Sequence, residues 1–155
     1  MSTGIRLLVG GDVAGFEYKE AILADLKDDP RVASVEDLGV PADDKESETY
    51  GSVGIRAAEA IRDGKADRAI LVCGTGIGVA IAANKVPGIR ATVGHDSFSV
   101  ERSILSNDCQ VLTMGQRVVG LQLARRLASE WIGYTFDPSS PSKDKVAVIS
   151  AYEGC

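Results

Sequence analysis

A chain of 155 residues, 45% hydrophobic with 17 glycines, fits one domain (residues 1–155) with a single sizeable core. Its 22 acidic against 17 basic side chains leave a net charge of −5, which argues against a nucleic-acid or anionic-membrane surface and requires any anionic ligand to be held by a local cluster of bases. The opening MSTGIRLLVGG lacks the charged-then-apolar order of a signal peptide, no apolar run has membrane-spanning length, and the odd, unpatterned cysteines 73, 109 and 155 suit reduced thiols, so a cytoplasmic chain is expected.

In chain order, residues 5–10 read as a buried first strand ending in Gly10-Gly11-Asp12. A helix follows to about Lys27, and Asp12 is placed either to face a ligand or to cap that helix. Residues 34–38 form a short second strand, and 39–49 a polar loop long enough to border a site. Residues 50–62 are helical, stopped by Asp63-Gly64.

Residues 68–72 are an apolar run that reads as a strand buried on both faces, with Cys73 as its last residue. Gly74-Thr75-Gly76-Ile77-Gly78 follows, and 79–84 opens a helix closed before Pro87. A strand end, a glycine turn and a helix N-terminus together expose N–H groups to an anion. A thiol in that place is suited to act as a thiolate. The bland alternative is a tight turn beside a buried structural cysteine. The glycine spacing is neither that of a dinucleotide site nor that of a P-loop.

A fourth strand over 88–93 leads to Gly94-His95-Asp96, and His95 is the only histidine. A helix over 97–105, the turn Ser106-Asn107-Asp108, a fifth strand over 109–114 and Gly115-Gln116-Arg117 come next. An amphipathic helix covers 119–132, residues 137–144 form a loop, and a short helix runs from 145 to 152. Alternating strands and helices imply a three-layer, doubly wound parallel five-stranded α/β sheet with helices on both faces. Asp12, Cys73, His95 and Arg117 then all fall at strand carboxyl ends, where ligands bind in such sheets.

The block from Cys73 to Gly78, then Ala82-Ala83-Asn84-Lys85-Val86-Pro87-Gly88-Ile89-Arg90, Ser106-Asn107-Asp108 and Met114 to Gly120, closely resembles the type B ribose-5-phosphate isomerases. That family includes the galactose-6-phosphate isomerases, and the resemblance runs from Ile5 to about Glu153. It implies a Rossmann-like sheet, a homodimer or homotetramer with active sites at the dimer interface, and metal-free, cofactor-free aldose–ketose isomerisation through a cis-enediolate. The helix at 142–153 is expected to contact the partner subunit.

Cys73 matches the family's base, and Thr75 is placed to relay a proton between substrate oxygens. The N–H groups of Gly74, Gly76, Ile77 and Gly78 are the expected anion hole. Asp12 and Asn107 match substrate contacts, and Arg117 an arginine that binds phosphate across the interface.

Departures bear on the substrate. Asp-His-Ala-Gly is Asp12-Val13-Ala14-Gly15 here, Tyr-Pro-Asp is Tyr50-Gly51-Ser52, and His-Asn-Asp is Ser106-Asn107-Asp108. Two tail arginines align with Pro141 and Lys145, leaving Arg117, Lys145 and Lys143 as bases for phosphate. The missing histidine at 106 is the family's ring opener. A pentose 5-phosphate closes through a free O4, whereas a tetrose 4-phosphate has that oxygen esterified and stays open. The expected pair is therefore D-erythrulose 4-phosphate and D-erythrose 4-phosphate, with ribulose and ribose 5-phosphate as the alternative. His95, Ser106 and Tyr50 form a second tier of site residues; His95 either replaces the ring opener or holds its own turn together. A sugar-phosphate sensor that lost activity is the reading from another class, opposed by the retained Cys73 and Thr75.

Overall fold

The computed structural model describes residues 4–155. Five strands, β1 (Ile5–Gly11), β2 (Val32–Asp37), β3 (Arg68–Cys73), β4 (Ala91–Val93) and β5 (Val111–Gly115), pair in the order β2-β1-β3-β5-β4. Every pairing is parallel. Six α-helices connect or follow them: α1 (Phe16–Lys27), α2 (Tyr50–Arg62), α3 (Ile77–Ala83), α4 (Ser97–Leu105), α5 (Leu121–Trp131) and α6 (Ser142–Glu153).

Period-two alternation divides the core. Leu7, Val9, Ile70, Val72, Leu112 and Met114 face α1, α4 and α5, while Leu8, Ala69, Leu71 and Cys73 face α2 and α3. The central strand β3 is thus covered on both sides, as its unbroken apolar run requires. On the first face the buried Trp131 indole N–H donates to Ser103 Oγ at 3.0 Å, joining α5 to α4. On the other, α2 and α3 pack through small residues; a Cβ on Gly54 would lie 2.7 Å from the Val79 carbonyl oxygen.

Several boundaries differ from the sequence expectation. The fourth strand begins at Ala91 rather than 88, because Gly88 takes a left-handed φ of +85°. The Arg90 N–H there is bound by Gln110 Oε1 at 2.9 Å. The fifth strand begins at Val111 rather than 109, and α3 begins at Ile77 rather than 79. The last helix has the 142–153 bounds expected of the partner-contacting helix, longer than the 145–152 run, and starts directly after Pro141, whose fixed φ of −61° is already helical.

The carboxyl ends of β1, β3 and β5 lie side by side at the middle of the sheet. Asp12, Cys73 and Arg117 follow or end these strands.

Candidate active site

A cleft of about 480 Å³ opens over those strand ends and is lined by Asp12, Tyr50, Cys73, Gly74, Thr75, Ile77, Gly78 and Arg117. Cys73 is 3% exposed, and its sulfur accepts the Gly76 N–H at 3.1 Å. That bond depends on Gly76 holding a left-handed φ of +77° against the backbone of Met114, where a Cβ would meet the Met114 carbonyl carbon at 2.8 Å. Thr113, fully buried on β5, fixes the other side of the same residue: its hydroxyl donates to the Gly76 carbonyl oxygen at 2.7 Å.

Thr75 is exposed in the cleft, and its hydroxyl oxygen accepts the Ile77 N–H at 3.2 Å. Two of the four N–H groups expected in the anion hole therefore hold the thiol and the hydroxyl instead. Gly78 forms the floor under the Tyr50 ring; a Cβ there would come 2.5 Å from the ring carbon Cε2.

Asp12 combines both readings of its position. It lines the cleft, and its Oδ1 accepts the Ala14 N–H at 3.0 Å, capping the short 3₁₀ turn Val13–Gly15. Arg117 hangs from the loop after β5, its N–H donating to the Gly74 carbonyl oxygen at 3.0 Å. Its guanidinium lies over Gly74, within 3.2 Å of where a Cβ would stand. Among the described residues no carboxylate pairs with Arg117. It lines the cleft of its own chain's Cys73.

His95 stands at a strand end but is not among the residues lining this cleft. Its Nε2 accepts the Gly115 N–H at 2.8 Å, so the ring is neutral with its proton on Nδ1. Burial pushes its pKa below the ordinary value, against a smaller opposing pull from Asp96. Gly115 in turn presses on Thr75, whose Cα lies 2.6 Å from the place of a Gly115 Cβ. His95 thus braces the glycine loop from behind.

Asn107, Ser106 and Lys145 lie elsewhere on the same chain. Asn107 lines a separate cavity of about 620 Å³ beside β4 and α4, with Arg102 and Ile149 on its walls. The Ser106 hydroxyl accepts from Arg102 Nε at 2.8 Å. Lys145 is exposed on α6 and lines neither cavity.

Sequence reasoning missed Thr113, which carries no motif, and Gln116, whose Oε1 accepts the Tyr18 N–H at 3.1 Å while its Nε2 donates to Glu17 at 2.8 Å. Burial pushes the Cys109 thiol up to about 11, which keeps it protonated and inert. Among the described residues no three His, Cys, Asp or Glu side chains converge as metal ligands.

The family model described as Ribose/Galactose Isomerase matches residues 7–149. A D-erythrulose-4-phosphate isomerase 2 of Mycolicibacterium smegmatis is 59% identical over 150 residues, covering 97% of this chain and 98% of that protein. Ribose-5-phosphate isomerase B of Escherichia coli is 36% identical over 148 residues, 96% of each chain. Among solved structures, ribose-5-phosphate isomerase B of Clostridium thermocellum superposes with a TM-score of 0.87 at 38% identity, covering 96% of this chain and 97% of that one. The type B enzyme of Leishmania infantum reaches a TM-score of 0.91 at 30% identity, covering 98% of each.

Proposed function

The chain belongs to the ribose/galactose isomerase family, and from that premise we propose that it interconverts D-erythrulose 4-phosphate and D-erythrose 4-phosphate through a cis-enediolate. The observation that carries the isomerase chemistry is Cys73, a thiol at the end of a central strand whose sulfur accepts a backbone N–H and faces a cleft with an unpaired arginine. The open-chain substrate is supported by Ser106, which stands where the family's ring opener would be and is bound to Arg102. The substrate named for the Mycolicibacterium smegmatis relative agrees with it.

In this reading the Cys73 thiolate takes a proton from C1 of the ketose, and the negative charge develops on O2. Thr75, held by the Ile77 N–H, receives a proton from O1 and delivers one to O2. The thiol then returns its proton to C2, leaving the aldehyde at C1. The N–H groups of Gly74 and Gly78 lie along the enediolate oxygens, while those of Gly76 and Ile77 orient the thiol and the hydroxyl. Asp12 binds a substrate hydroxyl and Arg117 the anionic end.

Asn107 and Lys145 come from a second copy of the chain in a homodimer or homotetramer, with α6 reaching the partner. In support, Ile77 and Ile81 expose an apolar ridge on α3 beside the cleft, 55% and 56% exposed. No helix of the described residues is long and apolar enough to cross a membrane, and the proposed setting is the cytoplasm.

The test is a steady-state comparison of D-erythrulose 4-phosphate and D-ribose 5-phosphate, with the variant Cys73→Ala beside the wild type. The reading expects a clear preference for the tetrulose phosphate, and a fall in kcat of about 10²–10⁴-fold in the variant, the range for loss of a general base. Comparable turnover of ribose 5-phosphate replaces the tetrose substrate with the pentose. No turnover of either sugar, with binding intact, favours a sensor.

A further inference from the structure

We propose that Arg102 is a phosphate-binding, specificity-determining residue of this isomerase, offered to the substrate from the cavity beside β4 and α4. The inference rests on the sugar-phosphate reading above and names a cation that reading left out.

Arg102 and Ser106 are four residues apart on and just past α4, so their side chains share one face. The bond from Nε to the serine hydroxyl fixes the guanidinium plane and, among the described residues, leaves both terminal nitrogens without a hydrogen bond or ion pair. The other charged groups of the cavity are engaged. Arg90 pairs with Asp108 at 3.3 Å and donates to the carbonyl oxygens of Asn107 and Asp108 at 3.0 Å each. Glu153 accepts the Gly88 N–H at 3.0 Å. Arg102 is thus a half-buried, pre-oriented guanidinium paired with no carboxylate among the described residues, beside the Asn107 amide in a cavity of about 620 Å³.

Its free edge presents the parallel donors that bind a phosphate in two-point fashion. A partly desolvated cation without a counter-charge is unfavourable until an anion arrives. On a chain of net charge −5, such a cation is also the local exception any anionic ligand needs.

Ser106 links this site to substrate choice. A serine is too short to act at a sugar ring, and its hydroxyl serves as the acceptor that seats Arg102. One residue therefore both omits the ring opener and positions a cation. Asn107, the neighbour of Ser106, is proposed to contact substrate from a second copy. Arg102 reaches the substrate by that same route, binding a phosphate one carbon closer to the reacting centre than in a pentose phosphate.

The experiment uses the full-length chain and Arg102→Gln, with Arg102→Lys and Ser106→Ala as second variants in case the first does not fold. KM for D-erythrulose 4-phosphate and the affinity for inorganic phosphate, by competitive inhibition and by calorimetry, are measured on each. Arg102→Gln is expected to raise KM by about 10- to 100-fold, the range for losing charge-assisted bonds, with phosphate affinity falling in parallel and kcat little changed. Arg102→Lys keeps the charge without the fork and falls between; Ser106→Ala moves the same way by less. Unchanged KM and phosphate affinity in folded Arg102→Gln overturn the proposal, as does a fall in kcat alone. If the wild type turns over neither sugar phosphate, the substrate reading fails, and calorimetry with inorganic phosphate decides for or against Arg102 by itself.

Discussion

Thr113→Val probes the connection between the sheet and the thiol. The hydroxyl is fully buried and donates to the Gly76 carbonyl oxygen at 2.7 Å, with the Thr92 carbonyl oxygen a distant second acceptor at 3.4 Å. Valine nearly keeps the shape, so little cavity forms. The Gly76 carbonyl is not stranded either, because it also accepts the Ala80 N–H at 3.3 Å. The loss is therefore one net hydrogen bond plus part of a desolvation penalty, about 1–2 kcal/mol. For a chain of this length that lowers Tm by about 2–8 °C. Catalysis should suffer more selectively. Gly76 carries both the carbonyl that Thr113 holds and the N–H that binds Cys73 Sγ, so loosening one loosens the other. We expect kcat to fall on the order of tenfold, about 1.4 kcal/mol of lost transition-state stabilisation, with KM nearly unchanged because Arg117 is untouched. Urea denaturation and steady-state kinetics on the same preparation measure both. A stability loss with unaltered kcat would refute the idea that Thr113 positions the thiol through Gly76.

Two further perturbations test the loop and its brace. Gly76→Ala should cost about 1–2 kcal/mol for the left-handed φ alone, and more because its Cβ meets rigid Met114 backbone. Gly64→Ala, with a φ of +74° but nothing within 4 Å, should show only the first part, and denaturant midpoints of the two variants separate the contributions. His95 accepts a bond only when neutral, and its folded pKa lies below the ordinary 6.5. As pH falls the unfolded chain binds that proton first, so the contribution of His95 is complete above about 6.5 and is lost as pH falls through the folded value. Tm measured between about pH 5 and 8 should show this acid-side loss in the wild type. The loss should be reduced in His95→Gln, whose amide oxygen accepts the same bond without titrating; an identical acid limb in both would assign the loss to other groups.

The fold was legible where one residue pattern decides one element. The run at 68–73 is apolar at every position but the first because β3 is covered on both faces, and 50–62 is periodic because α2 packs on one. The expectation failed where a turn uses residues that resemble a strand or a helix resembles a loop. Ile89 is buried and apolar, yet its N–H closes a turn on the Val86 carbonyl at 3.2 Å, so β4 is only three residues long. Ser142-Lys143-Asp144 follow two prolines and a run of serines, a loop composition, but Pro141 sets the helical φ and starts α6 early.

The site divides along the same line. Its contiguous part, Cys73 to Gly78, could be read directly because the strand end, the turn and the helix start are all local. Its supports could not. Thr113 and His95 act on the glycine loop only because β5 is inserted between β3 and β4, which brings residues 37 positions apart into contact. No periodicity encodes that strand order. The sequence also placed Asn107 with Cys73, whereas a single chain puts them in different depressions: Ile77, Gly78 and Ile81 of α3 border the thiol, while Asn84, just past its end, borders Asn107. The proposed assembly rests on this: α3 separates two half-sites on one chain and exposes an apolar ridge, Ile77 and Ile81, through which the thiol of one copy would meet the asparagine and arginine of another. In the proposed assembly the oligomer is part of the chemistry: dilution of the chain below the dissociation constant of that assembly should remove turnover while leaving each fold, and each Cys73 thiol, intact.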